Sequence, residues 1–153
     1  MATLHPTAAW AVWELMLNLT NPELAFVLGR LLLGVNFLTH FLVRLPKLAG
    51  FKAGLLKQFA ATPLPAPLVE LFATVLPFAE GAIGALLLLG LFTRPALAAA
   101  MLLMTSLVFG SSLLEQWDTV GTQMLYGLFI FALILHCQHN RLCFDHTAAP
   151  VLR

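Results

Sequence analysis

Four apolar runs organise the chain, over about residues 24–45, 68–92, 96–114 and 119–135. Each is long enough to cross a bilayer as a helix, which takes roughly 17–25 residues. Polar or helix-breaking segments separate them. Pro46, the lysines at 47, 52 and 57, and the prolines at 63, 65 and 67 lie between the first two runs. Thr93-Arg94-Pro95 and Glu115-Gln116-Trp117-Asp118 make the other two connections. Turns that short force their flanking helices to be antiparallel. The pattern predicts an all-α integral membrane four-helix bundle, a single membrane domain over 1–153 that ends in a polar tail from 136 to 153.

Shorter stretches add detail. Residues 8–19 are apolar but too short to span; Trp10, Trp13 and Leu17 share a helical face, with Glu14 and Asn18 turned from it. That spacing predicts a short N-terminal interfacial helix anchored by the tryptophans. Thr20-Asn21-Pro22-Glu23 supplies a capping residue, an early proline and an acid at the positive end of the helix dipole, so a helix starts there. GFKAGLLKQFA, residues 50–60, predicts a short amphipathic helix, and Pro77 a kink in the second span.

Composition agrees with this reading. The chain is 60% hydrophobic and 10% charged, against about 25% charged residues in a typical soluble domain. Eight Lys and Arg with seven Asp and Glu cannot coat a water-soluble globule of 153 residues, so the expected surroundings are a lipid bilayer. A formal net charge of +1, with no basic run and no Gly-rich phosphate loop, gives no expectation of nucleic-acid binding. The first 29 residues hold no Lys or Arg and so lack the charged opening of a cleaved signal peptide. Orientation stays open: Arg94, Arg141 and Arg153 share one side, Arg44, Lys47, Lys52 and Lys57 the other, and the positive-inside rule cannot decide so even a count.

The candidate chemistry lies in ionisable residues inside apolar runs: Arg30, His40, Glu70 and Glu80. A mid-bilayer charge costs at least roughly 2.5–3.5 kcal/mol and usually turns inward to a partner. Counting residues from the span ends places Arg30 and Glu80 within about 8 Å in depth, so the two are expected to pair. Such a pair either fixes helix register or lines a polar cavity for a proton, a quinone headgroup or a small polar substrate. His40, flanked one turn away by Asn36 and Arg44, forms a second candidate pair with Glu70. Gln123, Tyr126, Thr105 and Ser106 are placed to complete either network or to bond their own helix backbone. Gly81, Ala82, Gly84 and Ala85 permit close helix approach beside Glu80. In the tail, Cys137, His139, Cys143 and His146 are the weak candidates for a metal or for a thiol couple; five residues separate the cysteines, which fits no standard ligand spacing. No serine lies in a nucleophile elbow and no helical HExxH occurs, so soluble hydrolase mechanisms have no support.

Arg30-LLLGVNFLT-His40-FLV-Arg44-Leu45, followed by Glu80-GAIGALLLLGLFT-Arg94, resembles the DoxX family of small four-span membrane proteins. The resemblance covers roughly residues 24–135 and is most specific at Glu80, Gly90, Leu91, Thr93 and Arg94. Phe41 stands where that family has glycine, and Arg44 where it has lysine; the tail lies outside the pattern. The resemblance implies the membrane subunit of a quinone-linked thiol or sulfur redox system, multi-pass in the bacterial cell inner membrane. Arg30, His40 and Glu80 would then be its catalytic residues, a quinone its cofactor, and a soluble redox subunit its partner, with a homo-oligomer compatible. A non-enzymatic assembly factor or scaffold is the alternative, because a shared fold does not carry one chemistry.

Overall fold

A computed structural model of the chain describes residues 18–144. The expected interfacial helix at 8–19 falls almost entirely outside them, as does His146. Among the described residues the fold is all helical, with four helices long and apolar enough to cross a membrane. α1 runs Asn21–Arg44, α2 Leu48–Phe59, α3 Ala66–Leu89, α4 Thr93–Leu113 and α5 Trp117–Leu135. Single 3₁₀ turns follow α1 at Leu45–Lys47 and α5 at Cys137–His139.

Local chemistry sets these boundaries. Thr20 caps α1, and Glu23 reaches back so that its carboxylate accepts from the Thr20 N–H at 2.9 Å, the reciprocal arrangement of a capping box. α3 ends at Gly90, whose φ of 64° is left-handed. There the Leu91 N–H reaches the Leu86 carbonyl and the Gly90 N–H the Leu87 carbonyl, a Schellman closure. α4 ends the same way, except that Glu115, φ 56°, holds the left-handed position. Pro77 lies buried within α3, one turn before Glu80.

α1, α3, α4 and α5 cross together, while α2, the expected amphipathic helix, follows α1 after the 3₁₀ turn and packs on the start of α3. α1 packs chiefly on α3 and α4 on α5; α2 rests on α3, and the α1–α5 seam is the least occupied. The core joins Phe26, Leu33 and Phe37 of α1, Ile83 and Leu87 of α3, Leu97, Ala100 and Met104 of α4, and Ile130 and Leu133 of α5. Elsewhere large apolar side chains point outward, among them Leu32, Leu71, Leu102, Leu125 and Leu128. In water that would be untenable; facing lipid it is the expected surface.

The α1–α3 contact fixes the register on which the site depends. A Cβ at Gly84 would sit 2.5 Å from the Leu38 backbone nitrogen and 2.9 Å from the Gly34 carbonyl, so only glycine lets the two backbones meet there. One turn earlier Gly81 faces the Phe41 ring, and at the far end Gly90 lies against the Arg30 guanidinium and Cys143. Glu80 therefore lies level with residues 40–42, and Arg30 with Gly90.

Candidate functional site

That register replaces the expected pairing. Arg30 is roughly ten residues, or about 15 Å, from the level of Glu80, well beyond the depth gap that residue counting from the span ends suggests. Glu80, 3% exposed, instead forms its ion pair with Arg44. The helical lean of side chains explains the choice. Each Cα–Cβ bond tilts toward its helix N-terminus. Arg44 thus leans back into the bundle, and Glu80, on an antiparallel helix, leans toward it. Arg30 leans the other way, out toward the start of α1.

Beside the Arg44–Glu80 pair lies a cavity of about 180 Å³ whose wall sets polar side chains among the apolar Phe37, Met104 and Leu107. His40, Arg44 and Glu80 line it from α1 and α3, and Thr119, Thr122, Gln123 and Tyr126 from α5. Asn36 closes its deep end by donating through Nδ2 to the Tyr126 hydroxyl at 3.2 Å. Gln123 donates through Nε2 to Ser111 Oγ at 3.0 Å. Its Oε1 is buried and accepts no hydrogen bond among the described residues. At the mouth, the Phe51 ring of α2 lies 5.0 Å from the Arg44 guanidinium, a cation–π contact that covers the arginine from the α2 side.

Of the sequence candidates, His40 and Glu80 line the same cavity, joined by Gln123 and Tyr126. Glu70 does not pair with His40. It lies just past the first turn of α3, beside α2, and binds Lys52 at 3.0 Å. Thr105 and Ser106 bond their own helix, to the Met101 and Leu103 carbonyls at 2.9 and 2.7 Å. Arg44 was legible as part of the His40 stripe, but its role as the partner of Glu80 required the register.

Arg30, 2% exposed, belongs to the opposite end, where the tail folds back. It donates to the Leu142 carbonyl at 2.5 Å, and Asn140 Nδ2 donates to Thr93 Oγ1 at 2.9 Å. Arg141 binds Glu23 at 2.6 Å, an exposed hydrogen bond that raises the arginine's pKa above its usual value. Cys137 and Cys143 are half-buried thiols, and the Cys143 sulfhydryl donates to the Asn140 carbonyl at 3.3 Å. His139 lies beside His136, ring centroids 6.2 Å apart. Among the described residues no three His, Cys, Asp or Glu side chains converge as a metal would require.

No curated protein and no solved structure matches the chain. A family does: residues 22–120 match the family described as "Methylamine utilisation protein MauE". The matched segment carries Arg30, His40, Arg44 and Glu80 and stops before Gln123, Tyr126 and the tail. The comparison names MauE, a multi-span membrane family, while the DoxX resemblance rests on the residues quoted for it alone. With nearly two thirds of its length matched, the chain is a multi-pass membrane protein that belongs to the MauE family.

Proposed function

We propose that this protein is a membrane component of a redox system serving methylamine utilisation, in the bacterial inner membrane, and that its polar cavity takes the ring of a quinone. One observation carries this reading: the cavity wall offers a buried acceptor, Gln123 Oε1, that no described group satisfies, beside donors on Arg44 and Tyr126. Leaving a buried acceptor unpaired costs about 1–3 kcal/mol, so such a group points to a ligand. A wall with both an open acceptor and donors suits a molecule that alternates between ring carbonyl and ring hydroxyl. The family's description supports the methylamine setting, and the DoxX resemblance supports the quinone link.

Arg44 and Tyr126 would hold a ring oxygen as donors, and Gln123 would accept from a ring hydroxyl. A quinone supplies uptake of two electrons and two protons. Glu80 and His40 are the groups placed to hold and pass protons at the cavity wall. Arg44 keeps Glu80 in the bundle interior, and Phe51 limits water on the α2 side. Electrons would come from a soluble redox subunit meeting the membrane component at a water-exposed face. A cavity of about 180 Å³ is smaller than drug-sized sites, which run to roughly 300–1,000 Å³, and so favours a compact ring.

The test is binding of a tail-less benzoquinone to the detergent-purified protein, read by equilibrium dialysis. Saturable binding that weakens about tenfold in Gln123→Leu and in Glu80→Gln supports the proposal. Absence of saturable binding, or affinity indifferent to both substitutions, rejects it. A scaffold reading has its own support in the Arg44–Glu80 ion pair, which ties α1 to α3 whatever the cavity holds. It predicts that exchanging the two residues, Arg44→Glu with Glu80→Arg, preserves function, which a site reading does not allow.

A further inference from the structure

A second hollow runs alongside the polar cavity. It has a volume of about 310 Å³ and lies in the α1–α5 seam, walled by Leu32 and Leu33 of α1 and by Leu125 and Phe129 of α5. Leu32 and Leu125 are exposed, so the hollow opens sideways to the bilayer. The hollow and the cavity share three residues: Asn36, Thr122 and Tyr126. The only hydrogen bond among those three, from Asn36 to Tyr126, therefore stands at the boundary between an apolar space open to lipid and a polar space holding Glu80 and His40.

The seam has this form because its helices come close at Gly29, part beyond it, and are bridged again at Asn36. A Cβ at Gly29 would meet Leu133 at 3.1 Å and Phe129 at 3.4 Å, so α1 and α5 are in close contact there. Two turns further along α1, at Asn36, contact passes to the polar tips of Asn36 and Tyr126, and the apolar hollow fills the interval. Of the four spanning helices α5 is the least buried within the bundle.

We infer that the α1–α5 hollow is the tail site and lateral portal of an amphiphilic ligand whose compact polar ring occupies the Glu80 cavity, with the Asn36–Tyr126 hydrogen bond as the latch between them. The inference rests on the head-group reading above and adds the tail, the route and the specificity. The ligand class is a lipid-soluble ring with one apolar chain, reaching the site from within the bilayer. Water-soluble rings of the same chemistry would have to pass the α2 end, where Phe51 covers Arg44. Because lipid is as apolar as the hollow, the tail adds little affinity and instead sets the path of approach. The latch costs little to open, since hydrogen bonds between spanning helices are on average weak.

The test uses the full chain in liposomes with a benzoquinone whose ten-carbon tail ends in a diazirine, and peptide mass spectrometry to locate the label. A ten-carbon alcohol with the same diazirine serves as the tail-only control. Label from the quinone probe should fall within residues 32–36 and 122–129, be displaced by excess unlabelled decyl-benzoquinone, and drop about tenfold in Leu125→Trp, which fills the hollow from its lipid side. The alcohol should instead label lipid-facing positions such as Leu71 and Leu102 as well, without displacement. Identical patterns for both probes would make the hollow an ordinary lipid seat and overturn the inference. So would quinone label confined to α3 and α4. If either occurs while tail-less benzoquinone still binds in a Glu80-dependent manner, the head-group reading survives and only the portal falls; if no quinone binds at all, both fall.

Discussion

Arg44 and Glu80 form a pair in which neither member is dispensable alone. Removing Arg44, itself 25% exposed, leaves the 3% exposed Glu80 charge uncompensated, at a cost of at most about 3–5 kcal/mol, whereas replacing both with apolar groups is often neutral. Arg44→Met should therefore lower the thermal midpoint in detergent well below that of Arg44→Met/Glu80→Leu, read by the loss of helical circular dichroism on heating. Equal losses in the single and double variants would mean that the pair is not coupled. Arg30 predicts a different outcome, because its work is at the tail. Arg30→Met should expose the bond after Arg141 to trypsin faster than in the parent protein, with no change in benzoquinone binding. The sequence carried the residue types for both sites but paired the wrong two. Span ends read from hydropathy drift by several residues, and three or four residues of drift in two antiparallel helices are enough to exchange one arginine for another. Side-chain lean, which is readable from the sequence once the helices are taken as antiparallel, already favours Arg44.

Among the elements, α1 and α3 depend on a few small residues. At Gly84 an added methyl would strike backbone on α1, which cannot move without shifting the helix; at Gly81 it would strike only the Phe41 ring. Gly84→Ala should therefore destabilise by about 1–3 kcal/mol, the range for overpacking, and Gly81→Ala by less. Matched thermal unfolding curves decide it, and the reverse order would contradict the register. The four spans, the helix start at Thr20 and the amphipathic α2 were all legible, since length, apolar periodicity and capping chemistry are local. The turn after α3 was expected at Thr93-Arg94-Pro95, but the chain turns at Gly90 and those three residues open α4. The connection at Glu115-Gln116-Trp117-Asp118 was legible, but the left-handed conformation of Glu115 was not, because a left-handed residue that is not glycine is set by the helices on either side. The contact of α2 with Arg44 and Glu70 was hidden for a similar reason: prolines between α2 and α3 mark a break but not the direction in which the chain folds back.

For the molecule as a whole, four crossings place the α3–α4 turn and the tail on one face and the α2 region on the other. In a variant free of native cysteines, single cysteines at Arg94 and Asn140 should react with an impermeant maleimide from the same side of a sealed vesicle, and one at Ala61 from the opposite side. Reaction of all three from one side would break the four-span topology. Hydropathy sufficed for this level of organisation, while the site inside it depended on which helices stand close. The two faces also differ in kind: the tail face is tied by the chain itself, through Leu142, Asn140 and Arg141, and the other face carries α2, a short helix packed on α3.

That helix meets the spans through two rings, Phe51 over Arg44 and Phe59 against Gly110 of α4. Phe51 rests on the guanidinium that holds Glu80, and Lys52, the next residue, is tied to Glu70. Lys47, Lys57 and Gln58 remain exposed to whatever meets this face from the water. Phe51 thus links the water-facing side of α2 to the buried carboxylate by way of Arg44. A molecule seated on the exposed residues of α2 would stand two contacts, Phe51–Arg44 and Arg44–Glu80, from a charge inside the membrane.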